Sequence, residues 1–250
     1  MRVSAAGLVA DAWALFRRDR DLLLALAGPF WFLPSFALTL LVPPPPALPA
    51  GVEPGGAAWN SWSQNFAQWL SAQGSWYLLG AAIGAWGTAS VFALYLDRRH
   101  LSLGDALARG AAIWPRYMLL SALTGIMTFA GLLLWVVPGL YILGRVLLAG
   151  PALVAERPLG ALAAVGRGFA LSRGAGLTLM ALATLTLVGG WLLPQPLLGL
   201  DEWLRARAGG PNPVALATVD ALAAAIAAAA ALATALIAVA AYRRAASSGT

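Results

Sequence analysis

The stretch MLLSALTGIMTFAGLLLWVVPGLYILGRVLLAGPALVA, residues 118–155, decides how this chain is read. It is 38 residues long and holds one charge, Arg145. A helix crossing a hydrocarbon core of about 30 Å needs about 20 apolar residues, so this run is too long for one span. Pro138-Gly139 is a turn pair near its middle. We therefore expect a tight hairpin, with spans at 118–137 and 140–155. The second of these is short and would stand upright or thin the bilayer locally.

Four more apolar runs surround the hairpin. They are 22–42, ended by the prolines at 43–46; 76–96, stopped by Asp97-Arg98-Arg99-His100; 175–193, ended by Pro194 and Pro196; and 214–242, stopped by Arg243-Arg244. The expected fold is all-α: a polytopic transmembrane helix bundle, six spans in one membrane domain over residues 1–250. Composition agrees. The chain is 60% hydrophobic and 10% charged, with mean hydropathy +0.77. Soluble domains carry about 25% charged residues, and this few could not cover a water-facing surface of such size. The first apolar run is longer than a signal-peptide core, and the twenty or so residues before it carry Asp11, Asp19 and Asp21. It reads as a retained helix.

The net charge of +6 comes from sixteen basic residues, all Arg. Thirteen of them fall on one side of the six-span layout: Arg2, Arg17, Arg18 and Arg20; Arg98, Arg99, Arg109 and Arg116; Arg157, Arg167 and Arg173; Arg243 and Arg244. The other side has Arg205 and Arg207, beside Asp201 and Glu202. The positive-inside rule then puts both termini in the cytoplasm. The arginines lie between apolar spans, so the expected partners are membrane lipids, with other membrane proteins or a second copy as further partners, and not nucleic acid.

A threefold repeat accompanies the count. Residues 6–21, 103–117 and 160–174 each place a short amphipathic stretch ahead of a span, so the bundle reads as three helix-hairpin repeats with interfacial amphipathic helices. Two stretches on the other side also show helical stripes. Trp59, Trp62, Phe66 and Trp69 recur at spacings of three, four and three, and Leu197, Leu198, Leu200, Trp203 and Leu204 precede Arg205. Both are expected to be helices lying in the outer interface, where Trp is favoured.

Motifs for catalysis are missing. The chain has no Cys, one His (His100), no phosphate-binding Gly-rich loop, no His-Glu-x-x-His pair and no nucleophile elbow. His100 reads as a headgroup-level polar residue. No cofactor or metal site is expected, and no enzyme activity. Pro29, Pro34 and Pro151 lie inside spans and should kink them. Gly139, Gly144 and Gly150 read as packing positions, and the near-continuous Ala run at 223–231 as a smooth packing surface.

Two charges lie inside spans, Arg145 and Asp220. An ionised group in hydrocarbon costs at least about 2.5–3.5 kcal/mol and needs compensation. Counted at 1.5 Å per residue, Arg145 lies about 9 Å below Pro138-Gly139, and Asp220 lies at similar depth below Pro213, expected to open its helix after Asn212. An Arg145–Asp220 ion pair would satisfy both. In the alternative, Asp220 stays in outer-interface water and Arg145 snorkels to the outer headgroups. Past the fourth span, Glu156, Arg167 and Arg173 form a candidate headgroup-binding or polar cluster on the surface helix near 160–173.

These residues carry a resemblance. Pro138, Gly139, Arg145, Pro151, Glu156 and then Ser172-Arg173-Gly174 are similar to a recurring bacterial pattern. It resembles the membrane domain associated with glycerophosphoryl diester phosphodiesterases and the related YciC-like integral membrane proteins. The match is specific over about forty residues and general elsewhere. The resemblance implies a polytopic inner-membrane protein in which Arg145 and Glu156 belong to a shared structural polar set. The hydrolase of the fused relatives is a separate soluble barrel, so its activity does not transfer. Two functions follow as expectations: a non-catalytic module acting as scaffold, assembly partner or lipid-organising protein, or a small permease or lipid transporter using a polar site near Arg145 and Asp220.

Overall fold

The computed structural model describes residues 4–97, 101–156, 158–206 and 212–247. His100, Arg2, Arg98, Arg99, Arg157 and Arg207 lie outside them. Among the described residues the chain is all helix, with no strand. Six helical segments are long and apolar enough to cross a membrane: Arg20–Leu41, Ala57–Leu96, Leu103–Leu134, Val136–Ala155, Gly176–Arg205 and Pro213–Ser247. The protein is a polytopic membrane bundle.

Helix α1, Ala5–Arg18, begins where the Ser4 hydroxyl accepts from Gly7 N at 3.2 Å. It ends on Arg17 and Arg18, whose charges suit a helix C-terminus. The first span follows as α2, Arg20–Ala27, a π-helical turn at Gly28–Phe32, and α3, Leu33–Leu41. Pro29 cannot donate to Ala25, nor Pro34 to Phe30. The wide turn between them is where the expected kink is absorbed.

Helix α4, Ala57–Leu96, is 40 residues long, about 60 Å at 1.5 Å per residue. The Trp59 stripe is therefore not a separate helix lying in the interface. It continues the second span beyond the hydrocarbon, because nothing in residues 70–76 except Gly74 weakens a helix. The same correction applies to residues 103–117. They are the first half of α5, Leu103–Leu134, which runs through Pro115 without a break. The hairpin repeat thus keeps a separate surface helix in its first and third units only.

The turn after α5 falls at Trp135, whose extended backbone (φ −171°, ψ 153°) separates it from α6, Val136–Val146. That is three residues before the expected Pro138-Gly139. Pro138 sits in the first turn of α6, where a missing N–H is tolerated. Gly139 sets the closeness of the hairpin, since a Cβ there would lie 2.5 Å from Leu132 N. The fourth span consequently covers 20 residues, Val136–Ala155, about 30 Å, and is not short. It is interrupted at Leu147–Leu148 before α7, Ala149–Ala155, because Pro151 has no N–H for the Leu147 carbonyl.

Helix α8, Ala161–Leu171, is the expected surface helix, closed by Gly174 at φ +79°. Helix α9, Gly176–Leu192, leads through Leu193-Pro194 into α10, Gln195–Arg205, which carries the Leu197–Leu204 stripe and packs against α11. Helix α11, Pro213–Ser247, opens at Pro213 as expected, with Asn212 Oδ1 accepting from Val214 N at 3.0 Å. It packs against α1, α3, α4, α9 and α10 and forms the centre of the bundle. In lipid, helices associate mainly through van der Waals packing of small residues. The buried alanines at 223, 224, 228, 235, 238, 240 and 241 give α11 that surface.

Candidate functional site: a polar collar and a lateral groove

At the arginine-rich end, three consecutive side chains of α11 reach three different helices. Tyr242 Oη donates to Glu156 Oε1 at 3.0 Å, just past α7. Arg243 Nη2 donates to the Tyr95 carbonyl on α4 at 2.7 Å, and its guanidinium lies 5.6 Å from the Tyr95 ring centre. Arg244 donates to Asp11 Oδ2 at 2.7 Å and to the Gly7 carbonyl at 3.0 Å, both on α1. Successive helical residues point about 100° apart, so three of them fan over roughly 200°.

Further contacts extend this collar. Tyr95 Oη donates to Asp19 Oδ2 at 2.8 Å, and Arg18 donates to both Asp19 oxygens. The Arg18 hydrogen bond, with help from Tyr95, holds the Asp19 carboxyl below its usual range despite partial burial. Arg167 Nε donates to Glu156 Oε2 at 2.6 Å, which raises the guanidinium above its ordinary value. Arg109 lies 3.5 Å from Asp97. Partly exposed pairs of this kind contribute about 0–1 kcal/mol each. Their larger effect is on geometry: Arg109–Asp97 joins α5 to the end of α4, and Arg18 and Arg167 fix the two carboxylates, Asp19 and Glu156, that Tyr95 and Tyr242 bind.

Of the expected cluster, the structure joins Glu156 and Arg167, while the Arg173 side chain is exposed. The expected Arg145–Asp220 pair is not formed. Arg145 donates to Tyr141 Oη at 2.8 Å and to the Phe169 carbonyl, with its guanidinium over both rings. Phe169 lies in the last turn of α8, where carbonyls lack helical partners, so Arg145 caps that helix. Ser172 Oγ donates to the same carbonyl at 3.2 Å. Asp220 is 0% exposed and accepts from Arg205 Nη2 at 3.3 Å, while Arg205 Nε binds Asp201 Oδ2 at 2.8 Å. Arg145 touches Gly176 at the start of α9, whereas Arg205 ends the helix that follows α9. The two intramembrane charges therefore belong to opposite ends of the bundle. Arg145 snorkels toward the arginine-rich end, not the outer one.

Residue spacing does not announce the collar residues Asp11, Asp19, Tyr95, Tyr242, Arg243 and Arg244 as partners. The available signal is Tyr242-Arg-Arg closing the most alanine-rich span, which reads in the sequence only as a charge stop.

Among the described residues, two cavities between the helices stand out. One, of about 320 Å³, is lined by Thr88, Tyr117, Ser121 and Thr124 with Gly150 and Thr234, and contains neither Arg145 nor Asp220. Thr88, Thr124 and Thr234 bond back to carbonyls of their own helices. The other, of about 480 Å³, is an apolar groove with α1, α2 and the π-helical turn on one side and α11 on the other. Trp13, Phe16, Leu24 and Phe32 face Ala225, Ala229 and Ala233 across it. Among the described residues no group of three His, Asp or Glu is placed to hold a metal ion.

No family model, curated protein or solved structure matches the chain.

Proposed function

We propose that this chain is a non-catalytic module of the bacterial cytoplasmic membrane that organises lipid, with its arginine-rich end and both termini in the cytoplasm. The observation that carries the reading is the apolar groove open sideways between α11 and the wall of α1, α2 and the π-helical turn. A concave apolar surface on a spanning bundle has lipid as its solvent, and its shape selects how chains lie against it. The collar supports the same reading. Its charges are spent on one another across helix ends and do not converge on a pocket, as reacting groups would. The arginine asymmetry supports the orientation. The likeness of residues 137–174 to the phosphodiesterase-associated membrane domains supports a structural role for Arg145 and Glu156.

A permease is the second reading, favoured by the hydroxyl-lined cavity between α4, α5, α6 and α11. Native mass spectrometry of protein extracted in mild detergent separates the two. The lipid reading expects phospholipid adducts that survive gentle activation. Bare protein would remove its support, and solute flux in proteoliposomes would favour the permease.

A further inference from the structure

We propose that the groove between α11 and the wall of α1, α2 and the π-helical turn holds one acyl chain of an anionic phospholipid from the arginine-rich leaflet, with the lipid phosphate held by Arg17 and Arg20. The inference rests on the lipid-organising reading and names its ligand.

Length supports an acyl chain. On α11 the groove runs from Ala225 to Ile237, about 18 Å at 1.5 Å per residue. One leaflet of a core about 30 Å thick is about 15 Å deep, so the groove fits one leaflet and does not cross the bilayer. Ile237 lies five residues before the collar residue Tyr242, so the groove opens from the arginine-rich end. The lining suits a hydrocarbon chain. Trp13 and Phe16 stack at 5.4 Å along one wall, and exposed Ala225 and Ala229 leave the opposite wall flat.

Charge supports an anionic headgroup. Arg17 follows the lining residue Trp13 by four positions, and Arg20 precedes the lining residue Leu24 by four. Helical neighbours at this spacing share a face, so both arginines extend the groove's own stripes at its mouth. Both are exposed. Among the described residues Arg17 has no carboxylate partner, and Arg20 has only Asp21, at 3.5 Å with both side chains largely in solvent. Arg18, between them, is bound to Asp19 and unavailable. Two guanidiniums at headgroup level above a one-leaflet groove match a phosphodiester with its chain below.

The test uses full-length protein in nanodiscs and in detergent. Native mass spectrometry counts retained lipid in mixtures of dioleoylphosphatidylglycerol and dioleoylphosphatidylcholine. The wild type should retain one phosphatidylglycerol with a preference of roughly 30-fold, the factor for two arginines near an anionic surface. The double variant Arg17→Gln/Arg20→Gln, on exposed positions, should lose the preference and keep its thermal midpoint. Ala229→Phe should fill the groove and remove the retained lipid of either class. Arg116→Gln, an exposed arginine elsewhere, should change nothing. Unchanged lipid counts and preference in both groove variants would overturn the assignment while leaving the lipid-organising reading intact. A wild type that retains no phospholipid would overturn both.

Discussion

Replacing Arg205 by Ala removes the one cation that touches Asp220 among the described residues. That carboxylate is 0% exposed, its Oδ2 bonded to Arg205 at 3.3 Å and its Oδ1 without a partner among the described residues. Removing one member of a buried pair costs about 3–5 kcal/mol, because the remaining charge stays desolvated. Arg205 is 41% exposed, so water reaches the pair from its side, and the low end of that range, about 3 kcal/mol, applies. Asp201, whose Oδ1 is also buried and has no partner among the described residues, loses its Arg205 contact in the same variant. Asp220→Asn removes the charge and keeps the shape, and should cost about 1 kcal/mol as one lost polar contact. In the double variant no charge is left stranded on α11. Its stability should return to within about 1–2 kcal/mol of wild type, a coupling of about 2 kcal/mol. The assay is a double-mutant cycle from reversible unfolding in one fixed detergent. Additivity of the two single variants within about 0.5 kcal/mol would refute the pairing.

Other perturbations address other joints. At Gly144 a Cβ would lie 2.4 Å from Met180 N on α9; Gly144→Leu should cost more than about 3 kcal/mol or prevent folding, whereas Gly189, with nothing near its Cβ position, should accept Ala with no change in thermal midpoint. Trp62 and Trp69 donate to the Pro46 and Pro43 carbonyls at 3.1 and 2.9 Å. Replacing both with Phe should cost about 1 kcal/mol each locally, seen as faster proteolysis within 43–56 while the global midpoint holds. The depressed Asp19 carboxyl stabilises the folded state above the unfolded Asp value near 3.9. That contribution should fade as pH falls through the lower folded value, so Asp19→Asn should flatten the acid limb of thermal midpoint against pH.

The spans were legible because bilayer thickness sets a length that any spanning run must meet, and Pro213 after Asn212 was legible from capping chemistry. Merged helices were less so. Trp59 and Leu103 begin stretches whose amphipathic character differs from the following span, but only a breaker ends a helix. Residues 70–76 and 116–118 hold none strong enough. The hairpin turn moved to Trp135 because Pro138 fits a first helical turn as well as it fits a turn pair. The Arg145–Asp220 expectation failed for a different reason. Depth counted along a helix ignores where a long side chain points, and the partner of Arg145 is the backbone carbonyl of Phe169, which no residue identity announces. Asp220 found Arg205 because α10 packs beside the first turns of α11, a tertiary pairing that spacing along the chain does not announce.

The most direct test of the account is the sidedness of the bundle, on which the collar, the groove and its leaflet all depend. The chain has no Cys, so single cysteines can be placed at Glu53, Gly104, Gly160 and Ala206, all exposed. A membrane-impermeant maleimide applied to intact cells should label the Glu53→Cys and Ala206→Cys variants, and should label Gly104→Cys and Gly160→Cys only after the membrane is permeabilised. Labelling of Gly160→Cys from outside in intact cells, or of all four positions from one side, would contradict the account.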